Sequence, residues 1–178
     1  LYIRDHLGYS VATADINLDG TPDIIAGAER DDPDDIDAGA IYTLLMNNDG
    51  TVASMNIVTA ASDSRDWFGS SVGVLDDIDG DDVPEIMVGS IKADDGHGAA
   101  GRVTVLFLNA DGTAKDLKNL ISDTEGNFKG QLDKGDFFGS AATSLGVDLD
   151  GNCIDEVFVG AVSDDYPGGQ RDLGTGWV

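Results

Sequence analysis

Short apolar runs alternate with acidic, glycine-rich segments along the whole chain. The clearest runs are Ile24–Ala28, Ala40–Met46, Ile86–Ser90, Arg102–Leu108 and Val157–Ala161. Runs of this length that are rich in β-branched residues and bounded by Gly, Asn and Asp predict buried strands rather than helices. The segments 47–51 and 109–113 carry the Asn, Asp and Gly residues of tight turns, so each predicts a hairpin. The pattern therefore predicts an all-β protein.

The same order of strands and turns occurs three times. Twelve positions separate the first acid of a loop from the glycine that ends the next strand: Asp15 to Gly27, Asp77 to Gly89, and Asp148 to Gly160. Constant spacing through the strands, with extra length only in the loop before Phe137, is typical of a structural repeat. Four short strands in each complete round favour the antiparallel four-stranded blades of a β-propeller.

We place repeat 1 at about 7–62, repeat 2 at about 66–122 and a truncated repeat 3 at about 136–178. Propellers use about 4–8 blades around a channel, so three repeats cannot close a ring. We expect a partial, open propeller that is completed by further blades in the same chain or by assembly. The chain starts without Met and without a signal peptide, which is typical of the interior of a longer protein.

Each repeat has an acidic loop of nine residues between its first two strands. Oxygen-bearing side chains recur at the first, third, fifth and ninth positions, and alternate positions in a tight loop can turn their oxygens towards one point. Ca²⁺ takes about 6–8 such oxygens at about 2.3–2.6 Å, and the backbone carbonyl of the seventh residue can supply one of them. The predicted ligands are Asp15, Asn17, Asp19, Thr21 and Asp23 in loop 1, Asp77, Asp79, Asp81, Val83 and Glu85 in loop 2, and Asp148, Asp150, Asn152, Ile154 and Glu156 in loop 3.

The loops have two other possible interpretations. An EF-hand begins with a similar sequence but needs Glu at its twelfth position, inside a helix. Ala26, Val88 and Val159 stand at that position, which excludes the EF-hand. An acidic turn without a metal stays an alternative for every loop, and most of all for loop 3.

The sixth position of each loop distinguishes the three sites. Loop 1 has Gly20 there, and loop 2 has Asp82, which can adopt a left-handed backbone at modest cost. Loop 3 has Cys153, a poorer choice, and it also has Asn152 in place of an acid. We therefore expect two calcium sites and a weaker third.

Further motifs flank the loops in a fixed order. Phe68-Gly69-Ser70 and Phe138-Gly139-Ser140 precede the loops, with Gly8-Tyr9-Ser10 as a degenerate copy, while Gly27-Ala28 and Gly160-Ala161 follow them. In this combination the chain resembles the FG-GAP repeats of integrin α-subunit β-propellers and their bacterial and algal relatives. The resemblance implies a propeller, usually of seven blades, with Ca²⁺ held in the hairpin between the first two strands of a blade. It also implies extracellular placement and, in many members, adhesion or ligand binding.

Composition limits the possible functions. The formal net charge of −24 argues against nucleic-acid binding, which needs a basic surface. No apolar run approaches the roughly 20 residues of a membrane helix, so we expect no membrane insertion in this segment. The single cysteine cannot form an internal disulfide.

These inferences predict a calcium-binding extracellular or cell-surface propeller module. Ca²⁺ would brace the loops, the partner would be a protein or glycan ligand, and no residue is assigned to catalysis. The alternative is the non-catalytic propeller part of a secreted enzyme that acts on polysaccharide or phospholipid. The aromatic pairs Trp67-Phe68 and Phe137-Phe138 are predicted to pack between blades rather than to bind sugar.

Overall fold

The computed structural model describes residues 5–33, 35–59, 65–94, 98–152, 154–164 and 174–178. Eleven β-strands account for the regular secondary structure of these described residues. The strands are β1 (Ser10–Ala14), β2 (Asp23–Ala28), β3 (Ala40–Met46), β4 (Val52–Val58), β5 (Phe68–Val74), β6 (Ile86–Ser90), β7 (Arg102–Leu108), β8 (Ala114–Ile121), β9 (Phe138–Ser144), β10 (Val157–Ala161) and β11 (Thr175–Trp177). No helix among the described residues is long and apolar enough to cross a membrane.

The strands form three antiparallel sheets that follow one another along the chain. The first sheet has the order β1-β2-β3-β4, the second β5-β6-β7-β8, and the third β9-β10-β11. Each strand pairs with its neighbour in sequence, as expected for propeller blades. The predicted all-β class and the four-stranded antiparallel blades are thus confirmed, whereas the limits of the three repeats stay a prediction.

The predicted hairpins close β3–β4 and β7–β8 with the same geometry. The amide of Asn47 donates to the carbonyl of Thr51 at 2.8 Å, and the amide of Asn109 donates to that of Thr113 at 2.8 Å. Val52 and Ala114, each five residues beyond its asparagine, pair with Met46 and Leu108, which are equivalent in the two blades.

The hydrophobic core lies between the sheets. Ile25 and Ile41 of the first sheet pack with Phe68 and Ile86 of the second. Successive side chains of a strand point to opposite faces, so the residue after Ile86, Met87, packs towards the third sheet. The middle sheet is covered on both faces, which explains the uninterrupted apolar run of β6.

The aromatic pairs are only partly in this core. Phe68 and Phe138 are almost completely buried, as predicted. Trp67 instead lies half-buried beneath two cations, with the Arg30 guanidinium carbon 4.3 Å and Lys92 Nζ 3.9 Å from the ring centroid. The Trp67 ring thus lies between side chains of the first and second repeats, as packing between blades requires, but its partners there are cations and it is not among the buried core residues.

The glycine that ends the second strand of a blade allows the next blade to approach. A Cβ added to Gly27 would lie 2.1 Å from the carbonyl oxygen of Gly69, and one added to Gly89 would lie 2.1 Å from that of Gly139. Ser71 Oγ donates to the Gly139 carbonyl at 2.7 Å. The Phe-Gly motif and the strand-ending glycine are therefore two halves of one contact between blades.

In the structure, the degenerate motif of the first repeat aligns one residue earlier than the sequence pattern suggests. Ser10 pairs with Gly27 and donates to the Gly69 carbonyl at 2.8 Å, as Ser71 does in the next blade. The residues equivalent to Phe68-Gly69-Ser70 are therefore 7–9, with leucine in the phenylalanine place. The motif pattern alone aligns Ser10 with Ser70, which is one residue away from this pairing.

Candidate metal centres in the acidic loops

The three acidic loops connect the first two strands of each sheet, as predicted. In loop 2, oxygens of Asp77, Asp79, Asp81 and Glu85 all lie within 4.8 Å of one another. This is the largest convergence of acidic groups among the described residues. Four carboxylates at such distances form an oxygen-rich ligand set of the kind that hard divalent cations bind.

Asp77 holds the backbone of loop 2. Its Oδ1 accepts from the amide of Gly80 at 2.7 Å, and its Oδ2 accepts from that of Asp82 at 2.8 Å. These donors, Asp82 first, lower the pKa of Asp77, so the carboxylate form is favoured. Asp82 has a φ of 70°, which confirms the left-handed backbone predicted at the sixth position.

Glu85 reaches the cluster from the interior. Its side chain is fully buried, and Oε2 accepts from the amide of Ile78 at 2.6 Å. The other oxygen, Oε1, has no hydrogen-bond donor among the described residues. Burial raises the pKa of Glu85, and the charges of Asp79 and Asp77 raise it further. A buried carboxylate oxygen without a partner is costly, and a cation among these carboxylates would satisfy it, so the residues fit a metal ion.

A lysine that sequence reasoning missed also contacts loop 2. Lys115 Nζ donates to Asp79 Oδ2 at 2.6 Å and to Asp81 Oδ2 at 2.7 Å. These contacts raise the pKa of Lys115, and the ammonium lowers the pKa of Asp81. Lys115 lies 36 residues from Asp79 and 34 from Asp81 in sequence, and only the folding of the blade brings them together. No local motif signals this contact.

In loop 1, backbone amides donate to the carboxylates at the first and the ninth positions. Asp15 Oδ2 accepts from the amide of Gly20 at 2.8 Å. Asp23 is fully buried, and its two oxygens accept from the amides of Ile16 at 2.9 Å and Met46 at 2.7 Å. Within the part of the chain that the structure describes, the groups of three or more converging acids are in loops 2 and 3. Calcium in loop 1 thus stays a prediction.

Asn17 is placed differently from its counterpart in loop 2. Its Nδ2 donates to Asp19 Oδ2 at 3.0 Å, while its Oδ1 accepts from the amide of Asp19 at 3.0 Å. An amide donor therefore links the third and fifth positions of loop 1. In loop 2 the same two positions are linked by the ammonium of Lys115.

Loop 3 brings Asp148, Asp150 and Glu156 together within 4.8 Å. Asp148 Oδ1 accepts from the amide of Gly151 at 2.6 Å, in the same way that Asp77 holds loop 2. Asn152 turns its Oδ1 to the amide of Ile154 at 2.7 Å. Cys153, the predicted weak point of this loop, lies outside the described residues.

Two positional details complete the comparison with the predicted ligand pattern. The seventh residues, Thr21 and Val83, donate their amides to Asp19 at 2.7 Å and to Asp81 at 3.1 Å, and the ligand role of their carbonyls stays a prediction. The fourth position, which sequence reasoning did not single out, is left-handed in every loop. Leu18 occupies it with a φ of 60°, where the other two loops have glycine.

Comparison with known proteins agrees with this architecture. The model of the FG-GAP repeat family matches residues 7–44. Integrin alpha-7 of Homo sapiens is 30% identical over 167 residues, which are 88% of this chain and 12% of that protein. Integrin alpha-5 of Xenopus laevis is 31% identical over 164 residues, 89% of this chain and 15% of that protein. Integrin alpha-PS2 of Drosophila melanogaster is 30% identical over 175 residues, 92% of this chain and 12% of that protein.

The chain thus spans between 12% and 15% of the length of these relatives. The similarity extends over most of this chain. The chain belongs to the FG-GAP repeat family, of the kind found in integrin α-subunits.

Proposed function

We propose that this chain is a calcium-binding module of an extracellular β-propeller used for adhesion or ligand binding. The observation that carries the proposal is the convergence of four carboxylates in loop 2, one of which, Glu85, has a buried oxygen without a hydrogen-bond donor among the described residues. An all-oxygen set of carboxylates matches the preference of Ca²⁺. Mg²⁺ is less suited, because it demands near-ideal octahedral geometry and gives up its waters reluctantly.

In this proposal the ion braces the loop and does no chemistry. Asp79 and Asp81 would offer exposed oxygens from the loop, and Glu85 would offer one from the end of the loop, next to β6. Binding to the folded loop alone converts binding energy into stability. Sites with dissociation constants on the order of 10⁻⁴–10⁻³ M suffice in extracellular modules.

The similarity to known proteins supports an extracellular location and a binding role. Integrin α-subunits match this chain over most of its length, which supports placement at the cell surface or in the secreted space and a protein or glycan as ligand. The same similarity supports a binding module without catalysis. Further blades, in the same chain or by assembly, would complete the propeller.

The direct test is a calorimetric titration of the chelated chain with Ca²⁺, with thermal melts before and after. We expect two or three weak binding events and a higher melting temperature with the ion. Asp77→Ala should abolish the event at loop 2, and Asp15→Ala should abolish one at loop 1. Glu125→Ala, which removes an exposed acid outside the loops, is the matched control and should leave every event in place.

The same experiment can also refute the proposed calcium binding. If millimolar Ca²⁺ produced no heat and left the melt unchanged, the loops would be ordinary acidic turns. The fold would stand, and the proposed calcium function would not.

A further inference from the structure

The lysine at loop 2 occupies two of the proposed calcium ligands. Lys115 stands near the start of β8, and its Nζ lies 2.6 Å from Asp79 Oδ2 and 2.7 Å from Asp81 Oδ2. The Lys115 side chain is only 19% exposed, so its stem packs against the protein while the ammonium faces the loop. The third and fifth positions of loop 2 are thus already linked by a cation that belongs to the chain.

This lysine is not part of the repeat. The hairpins that precede β4 and β8 have the same hydrogen bonds, and Ala53 stands six residues after Asn47 as Lys115 stands six residues after Asn109. The first blade therefore has alanine, which carries no ammonium, at the same distance from the hairpin. There the link between the third and fifth loop positions is the neutral amide of Asn17. Repeat 1 is an internal reference for a loop without the lysine.

We propose that Lys115 is a tethered competitor of calcium at loop 2. Its ammonium holds the Asp79 and Asp81 carboxylates when the ion is absent and must leave them when the ion binds. The inference rests on the proposed calcium function of this loop. Two cations cannot share the same carboxylate oxygens at contact distance without strong repulsion, so each excludes the other. The flexible four-carbon stem of lysine lets the ammonium move into solvent without a change in the backbone.

Two consequences follow from this arrangement. First, binding of Ca²⁺ must break two charge-assisted hydrogen bonds, which weakens the calcium affinity of loop 2. Partly exposed ion pairs are individually weak, so we expect a dissociation constant on the order of 3- to 30-fold higher than without the lysine. Second, the ammonium partly neutralises the loop, so loop 2 keeps its shape when calcium is scarce. Loop 2 would then respond to changes in calcium concentration instead of staying saturated.

The test reads each loop separately. Gly80 lies in loop 2 and Gly20 in loop 1, and the amide of each donates to the first acid of its own loop. Their amide resonances in the isotopically labelled 178-residue chain would be followed during titration of the chelated protein with CaCl₂. Lys115→Met removes the ammonium and keeps an unbranched side chain that is only one heavy atom shorter. Lys129→Met is the control of equal charge, because Lys129 is exposed and contacts Asn127 outside the loops.

We expect the Gly80 midpoint to fall by about 3- to 30-fold in Lys115→Met and to match the wild type in Lys129→Met. The reciprocal variant Ala53→Lys should raise the midpoint of Gly20, if loop 1 binds calcium. Equal Gly80 midpoints in the wild type and Lys115→Met would overturn the competitor role and leave the calcium site intact. If Gly80 did not respond to millimolar Ca²⁺ in either protein, the proposed function of loop 2 would fail, and the competitor role would fail with it.

Discussion

Substitution of the glycine that ends the second strand of a blade should show how much the contact between blades contributes to the stability of the fold. Gly89 and Gly160 occupy equivalent places in the second and third sheets. A Cβ on Gly89 would lie 2.1 Å from the Gly139 carbonyl oxygen and 2.5 Å from Ser71 Oγ. A Cβ on Gly160 would meet its nearest neighbour, Ala141 Cβ, at 3.7 Å, which is ordinary contact. A methyl group would therefore clash with the backbone of the next blade at Gly89, whereas it would fit without a clash at Gly160.

The expected magnitudes follow from these distances. Overpacking against a backbone typically costs about 1–3 kcal/mol. The buried hydrogen bond from Ser71 to Gly139 would be displaced as well, at about 0.5–1.5 kcal/mol net. Gly89→Ala should therefore lose about 3 kcal/mol, a fall in melting temperature of about 6–12 °C for a chain of this size. Gly160→Ala should change stability by less than about 1 kcal/mol, in the stabilising direction, because alanine restricts the unfolded chain.

The assay is thermal and urea unfolding followed by circular dichroism, with calcium chelated so that the loops contribute equally to every variant. A Gly89→Ala protein that melted within about 2 °C of the wild type would refute the proposed contact, since the predicted shift is several times larger. An equal loss in Gly160→Ala would show that the strand itself, rather than the approach of the next blade, requires glycine.

Two further substitutions test local strain and buried charge. Burial, together with the nearby Asp164 and Asp133 carboxylates, raises the pKa of Asp136 to about 6. The folded state therefore binds this proton more tightly than the unfolded chain does, and the free energy of unfolding should fall as pH rises from about 4 to about 6. Asp136→Asn should remove about 2 kcal/mol of that decline, measured by urea unfolding at pH 4.5 and 7, and equal declines in both proteins would contradict it. Leu18→Gly should raise stability by about 0.5–1 kcal/mol because Leu18 has a left-handed backbone, and an unchanged melting temperature would argue that the strain is relieved elsewhere.

The features that can be predicted from the sequence are those that depend on residues close together in the chain. The apolar run at 86–90 predicted β6 because a strand buried on both faces needs no alternation. The left-handed backbone at Asp82 was predicted because it occupies a position where its repeat partner has glycine. Repetition helped in both cases, since one copy of the pattern explains another.

The features that it missed depend on contacts between distant parts of the chain. Lys115 contacts Asp79, which is 36 residues away in sequence, and no local sequence motif predicts this contact. Trp67 shares a motif with Phe68, yet its ring lies against the cations of Arg30 and Lys92 and outside the buried core. A repeat pattern identifies equivalent positions, but it does not show where one copy has acquired a different partner.

The geometry of one blade also separates what holds the fold from what calcium would add. In the first sheet one contact to the next blade lies at the Ser10–Gly27 pair, and the acidic loop begins at the other end of the strand pair, at Ala14–Asp23. Four residue steps of strand, about 13 Å, lie between them. Removal of an ion from the loop leaves the serine, the glycines and the core between the sheets untouched. The chelated chain should therefore keep its blades packed, and calcium should stiffen one edge of a fold that is already formed.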